Sequence, residues 1–280
     1  MQRIFLNYKS SRVSCLSFGT GDKLLFAFHG FGDRAAMFLS VAASLGREYK
    51  IYAVDLPFHG HTVWREAAFD TEVFNFIVNE ISAREKKYKY DLMGYSFGAK
   101  IVERLFLKQP ERIGRLFLLA PDGFYHKQGL EITMIPKPVR YLSKWLLQRP
   151  TWLIRLTTFL YKRRLIDRFI FDFTMRHLNR IDRHSRLFTY WLSMDDFITR
   201  PKDFVTEIKL HATQTVILCG IHDDIISLKK IEKTFKNIRS VSVFELNAAH
   251  KLITPDLNDF LSKILSKKSF NIDEIKKSSL

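Results

Sequence analysis

Short, mostly apolar segments alternate along this chain with longer stretches whose apolar positions recur every three or four residues. The segments lie at 24–28, 51–54, 88–93, 115–120, 215–219 and 241–246. Each has the length and composition of a strand buried on both faces. Between them, Met37, Phe38, Val41 and Leu45 form one apolar stripe, Val73, Phe74, Ile77, Val78 and Ile81 a second, and Ile101, Val102, Leu105 and Phe106 a third. These spacings predict helices over 34–46, over 70–84 with Asp70 as N-cap, and over 99–106, with two more at 228–237 and 253–265. Strands alternating with helices in this way need crossover connections, and so predict a mostly parallel sheet with helices on both faces. Residues 3–8 and 12–18 predict instead an antiparallel hairpin at a sheet edge, joined by Lys9-Ser10-Ser11.

The rhythm stops after the sixth predicted strand. Residues 124–206 read as several helices punctuated by Pro136, Pro138, Pro150 and Pro201, and the alternation returns at 215. The expected organisation is an α/β core over 1–123 and 207–266, a helical cap over 124–206 and a polar, lysine-rich tail over 267–280.

The strand at 88–93 turns into the helix at 99–106 through Gly94-Tyr95-Ser96-Phe97-Gly98. A Gly-x-Ser-x-Gly at a strand-to-helix turn is the context of a nucleophile elbow, where the serine is held in a strained conformation at a helix start. A serine hydroxyl needs a base within hydrogen-bond reach, and the base needs an orienting acid. Functional residues of a parallel sheet gather at the carboxyl ends of its strands. His250 stands there, directly after the last strand. Asp223 and Asp224 stand in the loop after 215–219, and either could supply the acid. Backbone donors for an oxyanion are expected at the N–H groups of Phe97, next after the serine, and Phe31, in the glycine-flanked turn after 24–28.

The ordered set His29-Gly30-Phe31-Gly32, Asp55-Leu56-Pro57-Phe58-His59-Gly60-His61, Gly94-Tyr95-Ser96-Phe97-Gly98, Gly220-Ile221-His222-Asp223 and Ala249-His250 resembles the α/β-hydrolase superfamily. The likeness runs from the first strands to the last helix, apart from the insertion. It implies an α/β-hydrolase fold with the order Ser96, Asp223, His250 for the triad, and a structural role for His29. Some members carry the acid one strand earlier, where this chain has Asp122. Phe58 and Thr62 stand where the family more often has glycine and serine. The implied reaction is hydrolysis of an ester or thioester of a small or medium apolar acyl substrate, with no metal or organic cofactor. The same triad serves C–C hydrolases and lyases on this fold, and the fold also serves as a slow-turnover ligand-binding or signalling module.

Composition adds a question of partners. The chain of 280 residues carries a net charge of +16, and residues 124–206 hold sixteen basic against seven acidic side chains. Within that insertion, Trp145, Trp152, Phe159, Phe169 and Phe171 interleave with Arg149, Arg155, Lys162, Arg163, Arg164 and Arg168. Basic segments with interleaved aromatic residues suit an anionic membrane surface or an anionic substrate. No groove-reading motif is visible, so nucleic acid is not an expected partner. The two cysteines, Cys15 and Cys219, fall in apolar runs and are expected as buried thiols. Neither a signal-like N-terminus nor an apolar run of membrane-spanning length is visible, and the expected location is the cytoplasm, with peripheral membrane contact through the cap. Oligomeric state is not legible.

Overall fold

The computed structural model of the chain describes residues 1–122, 150–166, 168, 171, 172, 175 and 193–266. The described residues fall into two compact units. The first comprises the described residues of 1–65, 71–122 and 197–266, and the second those of 66–70 and 150–196. The tail expected over 267–280, most of the cap expected over 124–206, and with it Trp145, Trp191 and Phe169, lie outside the described residues.

The first unit is built on one sheet of eight strands: β1 (Gln2–Tyr8), β2 (Ser11–Phe18), β3 (Lys23–Phe28), β4 (Tyr49–Val54), β5 (Tyr90–Tyr95), β6 (Ile113–Leu119), β7 (Gln214–Gly220) and β8 (Val241–Leu246). Their spatial order is β1-β2-β4-β3-β5-β6-β7-β8. The pairs β1/β2 and β2/β4 are antiparallel, and every pair from β4 onward is parallel. This is the α/β-hydrolase fold expected from the sequence. The edge hairpin closes through Lys9, at φ +51°. The central strands are buried along nearly their whole length, which is why their sequences are mostly apolar.

Helices α2 (Thr71–Arg84), α3 (Phe97–Lys108), α6 (Leu228–Phe235) and α7 (Pro255–Ser266) fall where the apolar stripes predict them. The segment expected as a helix over 34–46 differs. It is a 3-10 helix over Ala35–Val41 followed by a single α-turn, α1 (Ala42–Leu45). Its start is held from outside, by the Asp55 carboxylate accepting the Ala35 N–H at 2.8 Å.

The boundary expected at 206 falls inside helix α5 (Pro201–His211), which belongs with the sheet. The reason is packing. Phe204 and Ile208 are fully buried, and the Phe204 ring lies edge-on to Phe106 of α3 at 5.5 Å and to Phe235 of α6 at 6.4 Å. The second unit contains helix α4 (Pro150–Lys162), and in it the Phe69 N–H donates to Ser193 Oγ at 3.0 Å. Cys15 and Cys219 are free, buried thiols.

Helix α3 lies directly against the end of β3. A Cβ placed on Gly98 would sit 1.9 Å from the Phe28 carbonyl oxygen and 2.9 Å from that of His29. Backbone atoms on both sides leave no flexible side chain to yield. Gly98→Ala is therefore expected to destabilise the fold by about 3 kcal/mol, read as a fall of about 6–12 °C in Tm by differential scanning calorimetry.

Candidate active site

Strand β5 ends at Tyr95, and Ser96 follows at φ +50°, ψ −117°, before α3 begins at Phe97. A non-glycine residue at positive φ is strained by about 1–2 kcal/mol. The backbone of Ser96 is held on both sides. Its N–H donates to the Leu119 carbonyl at 2.9 Å, and its own carbonyl accepts the N–H groups of Ala99 at 2.9 Å and Asp122 at 3.3 Å.

The side chain of Ser96 meets His250. Ser96 Oγ lies 3.0 Å from His250 Nε2, and His250 Nδ1 lies 2.8 Å from Asp223 Oδ2. A carboxylate can only accept, so the imidazole proton sits on Nδ1 and leaves Nε2 to accept the serine hydroxyl. The other carboxylate oxygen of Asp223 accepts the N–H groups of Ile225 at 2.8 Å and Ile226 at 3.0 Å. Burial alone pushes this carboxyl up, since Asp223 is 1% exposed. The hydrogen bond and charge of His250, with the two backbone donors, outweigh burial and hold it below the usual carboxylate range.

The two alternative acids lie elsewhere. Asp224 is exposed to solvent. Asp122 pairs with Lys100 Nζ at 3.4 Å. The turn after β3 adjoins the serine, because a Cβ on Gly30 would be 3.1 Å from Ser96 Cβ. This turn carries Phe31, while Phe97 opens the helix on the other side of Ser96. Tyr95 also braces the site, its hydroxyl donating to the His250 carbonyl at 3.2 Å and its ring lying 5.7 Å from the imidazole. Among the described residues no group of three or more His, Cys, Asp or Glu side chains is arranged to hold a metal ion.

The sequence profile described as the alpha/beta hydrolase family matches residues 24–256. The chain belongs to the alpha/beta hydrolase family. Among curated relatives, a pimeloyl-[acyl-carrier protein] methyl ester esterase of Nitrosomonas europaea is 31% identical over 104 residues, 36% of this chain and 38% of that protein. A protein of the same name from Aeromonas salmonicida is 32% identical over 108 residues, 39% of this chain and 41% of that one. The aligned part thus spans about two fifths of these relatives. Among solved structures, a thioesterase domain from the curacin biosynthetic pathway superposes with TM-score 0.65 at 15% identity, covering 95% of this chain and 99% of its own. A meta-cleavage product hydrolase superposes with TM-score 0.62 at 18% identity, covering 94% and 97%. Those two likenesses concern the fold.

The turn after β3 is held by His29, for which the resemblance implied a structural role, and by Asp55 and His59, to which sequence reasoning gave no role. Asp55, 1% exposed, directly follows β4. Its carboxylate accepts from Arg3 at 2.8 Å, Ser14 Oγ at 2.9 Å and the His61 N–H at 3.1 Å, besides the Ala35 N–H already noted. Phe58, where glycine is commoner in the family, takes φ +63° in the same loop, and Thr62 Oγ1 donates to the Asp55 carbonyl at 2.5 Å. Two histidines join this loop to the turn. The Leu56 N–H donates to His29 Nε2 at 3.1 Å, so the His29 proton is on Nδ1 and is donated to the Gly30 carbonyl at 2.7 Å. Burial, with His59 nearby, pushes the His29 pKa down to about 3. The Gly32 N–H donates to His59 Nε2 at 2.9 Å, so His59 is likewise protonated on Nδ1, which faces the Pro57 carbonyl at 2.8 Å. The ring of Phe31 stands edge-on to His59 at 5.7 Å. Beyond the structural role implied for His29, the signal for Asp55 and His59 in the sequence was their place in a loop that follows a strand adjacent to β3.

His59 thus holds the residues around Phe31 N–H through one acceptor atom. His59→Gln keeps an acceptor near that position and His59→Phe keeps only the ring. If Phe31 contributes to an oxyanion hole, His59→Phe should lower kcat for an ester about tenfold or more, with KM little changed and His59→Gln intermediate. Equal kcat in wild type and a folded His59→Phe variant counts against the role. Acid titration reads Asp223 separately. Its folded pKa is depressed, so its stabilisation is present above the ordinary carboxylate value and is lost as pH falls through the folded one. The Tm difference between wild type and Asp223→Asn should be constant above about pH 4 and shrink below it.

Proposed function

We propose that this alpha/beta hydrolase cleaves an ester or thioester of a small or medium apolar acyl group through Ser96, His250 and Asp223. The observation that carries the reading is the continuous chain of contacts from Ser96 Oγ through His250 to Asp223, with a strained serine at a helix N-terminus. The esterase names of the curated relatives support an ester as the substrate, and a methyl ester on a carrier-bound acyl chain is the specific candidate they suggest.

In this mechanism Ser96 Oγ attacks the substrate carbonyl carbon while His250 Nε2 takes the hydroxyl proton. Asp223, accepting from Nδ1, stabilises the imidazolium that forms. The carbonyl oxygen becomes an oxyanion held by the N–H groups of Phe31 and Phe97, the latter helped by the positive end of the α3 dipole. The tetrahedral species collapses, and His250 returns its proton to the leaving alcohol or thiol. Water then attacks the acyl-Ser96 carbonyl carbon, losing its proton to His250; as the carbon–Oγ bond breaks, His250 returns that proton to Ser96 Oγ and the acid leaves.

A fluorophosphonate probe is expected to label the wild type and not Ser96→Ala. Asp223→Asn should cut kcat on a p-nitrophenyl ester by about 10⁴-fold, whereas Asp224→Asn and Asp122→Asn should remain near wild type. A folded wild-type protein that neither labels nor turns over any of a series of p-nitrophenyl esters and acyl thioesters would sink the reading.

A further inference from the structure

Helix α4 opens with Pro150 in its first turn, where the missing N–H costs nothing. A helix of a globular protein normally turns its apolar stripe inward. Helix α4 leaves one in solvent. Trp152 is 61% exposed, Phe159 52% and Leu156 39%. These three recur four and three residues apart and so share one face. Arg155 and Lys162, both exposed, lie on the same side of the helix, and Arg163 follows directly, its guanidinium 5.3 Å over the Phe159 ring. At 100° per residue all six fall within an arc of about 120°. No carboxylate occurs between 150 and 166.

Single exposed apolar side chains are ordinary on protein surfaces, but a helical stripe of three that includes two aromatic rings marks a contact face. Its chemistry selects the partner. The rings suit the boundary between lipid headgroups and acyl chains, and the cations beside them suit lipid phosphates. A nucleic acid or an acidic protein would match the charges without calling for a Leu and a Trp between them. No described helix is long and apolar enough to cross a membrane, so the fitting geometry is a helix lying in the interface plane. We propose that the Trp152–Leu156–Phe159 face of α4, with Arg155, Lys162 and Arg163, docks on an anionic lipid surface. This inference does not rest on the hydrolytic reading.

Co-sedimentation of the full chain with vesicles of phosphatidylcholine alone, and of phosphatidylcholine mixed with phosphatidylglycerol, tests it. The expected result is recovery with the mixed vesicles that weakens as salt rises, with tryptophan emission quenched by bromine-labelled acyl chains. Trp152→Ala combined with Phe159→Ala should lose both binding and quenching. Arg155→Gln with Lys162→Gln should weaken partitioning by roughly fivefold for each cation removed. Unchanged melting curves show that both variants fold. Equal recovery with neutral and anionic vesicles would overturn the proposal. So would wild-type binding by the aromatic variant, because contact through charge alone is what a different polyanion would give.

Discussion

Helix α3 lies so close to the end of strand β3 that a single methyl group at position 98 would sit 1.9 Å from the Phe28 carbonyl oxygen. That approach fixes where the first turn of α3 stands relative to the turn carrying Gly30 and Phe31. With the helix so near, the chain leaving β5 must reverse within one residue, and Ser96 takes up the reversal at φ +50°. The strain is held by three backbone hydrogen bonds, from β6, from the first turn of α3 and from Asp122. A residue in a sparsely populated conformation persists only when its surroundings over-determine it.

Around this point the polar groups are buried and paired. Asp55 is almost fully inaccessible, yet it accepts four hydrogen bonds from four separate segments: β1, β2, the 3-10 helix and its own loop. Burying a carboxylate is expensive unless such donors replace water. The donors here also tie the loop after β4 to three neighbours, so the charge that costs solvation also sets loop geometry. His29 and His59 extend the same principle. Each accepts a backbone N–H at Nε2, which settles its tautomer and makes the neutral ring the form that fits. The result is a turn after β3 positioned from the far side by side chains of its neighbour.

The scaffold and the surface then divide the work. Sheet, elbow and braces lie in one compact unit, where Ser96, His250 and Asp223 are in contact beside the turn after β3. The exposed basic and aromatic face of α4 belongs to the other unit. A fold shared by many hydrolases does not specify a substrate, which is why the bond cleaved must be argued from the site and its relatives.

Much of the scaffold was legible in the sequence because its signals are local. Strands buried on both faces must be apolar throughout, helices on a sheet must be apolar every three or four residues, and a strand-to-helix turn with Gly94 and Gly98 marks its own position. Ser96 and His250 could be named for the same reason, each directly following a strand. Other features depended on contacts that sequence distance hides. Asp223 and Asp224 are adjacent and chemically alike, and only the three-dimensional loop turns one toward His250 and the other into solvent. The boundary expected at 206 cuts through helix α5, whose first half stays with the sheet because Phe204 finds Phe106 and Phe235 across the fold. The 3-10 helix took its start from a carboxylate twenty residues away. The sequence by itself determined the strands, most of the helices and which serine stands at the strand-to-helix turn, since those follow from neighbours along the chain. The tertiary structure decided which carboxylate meets the imidazole and which histidines hold the turn, since hydrogen bonds are made between atoms brought together in space.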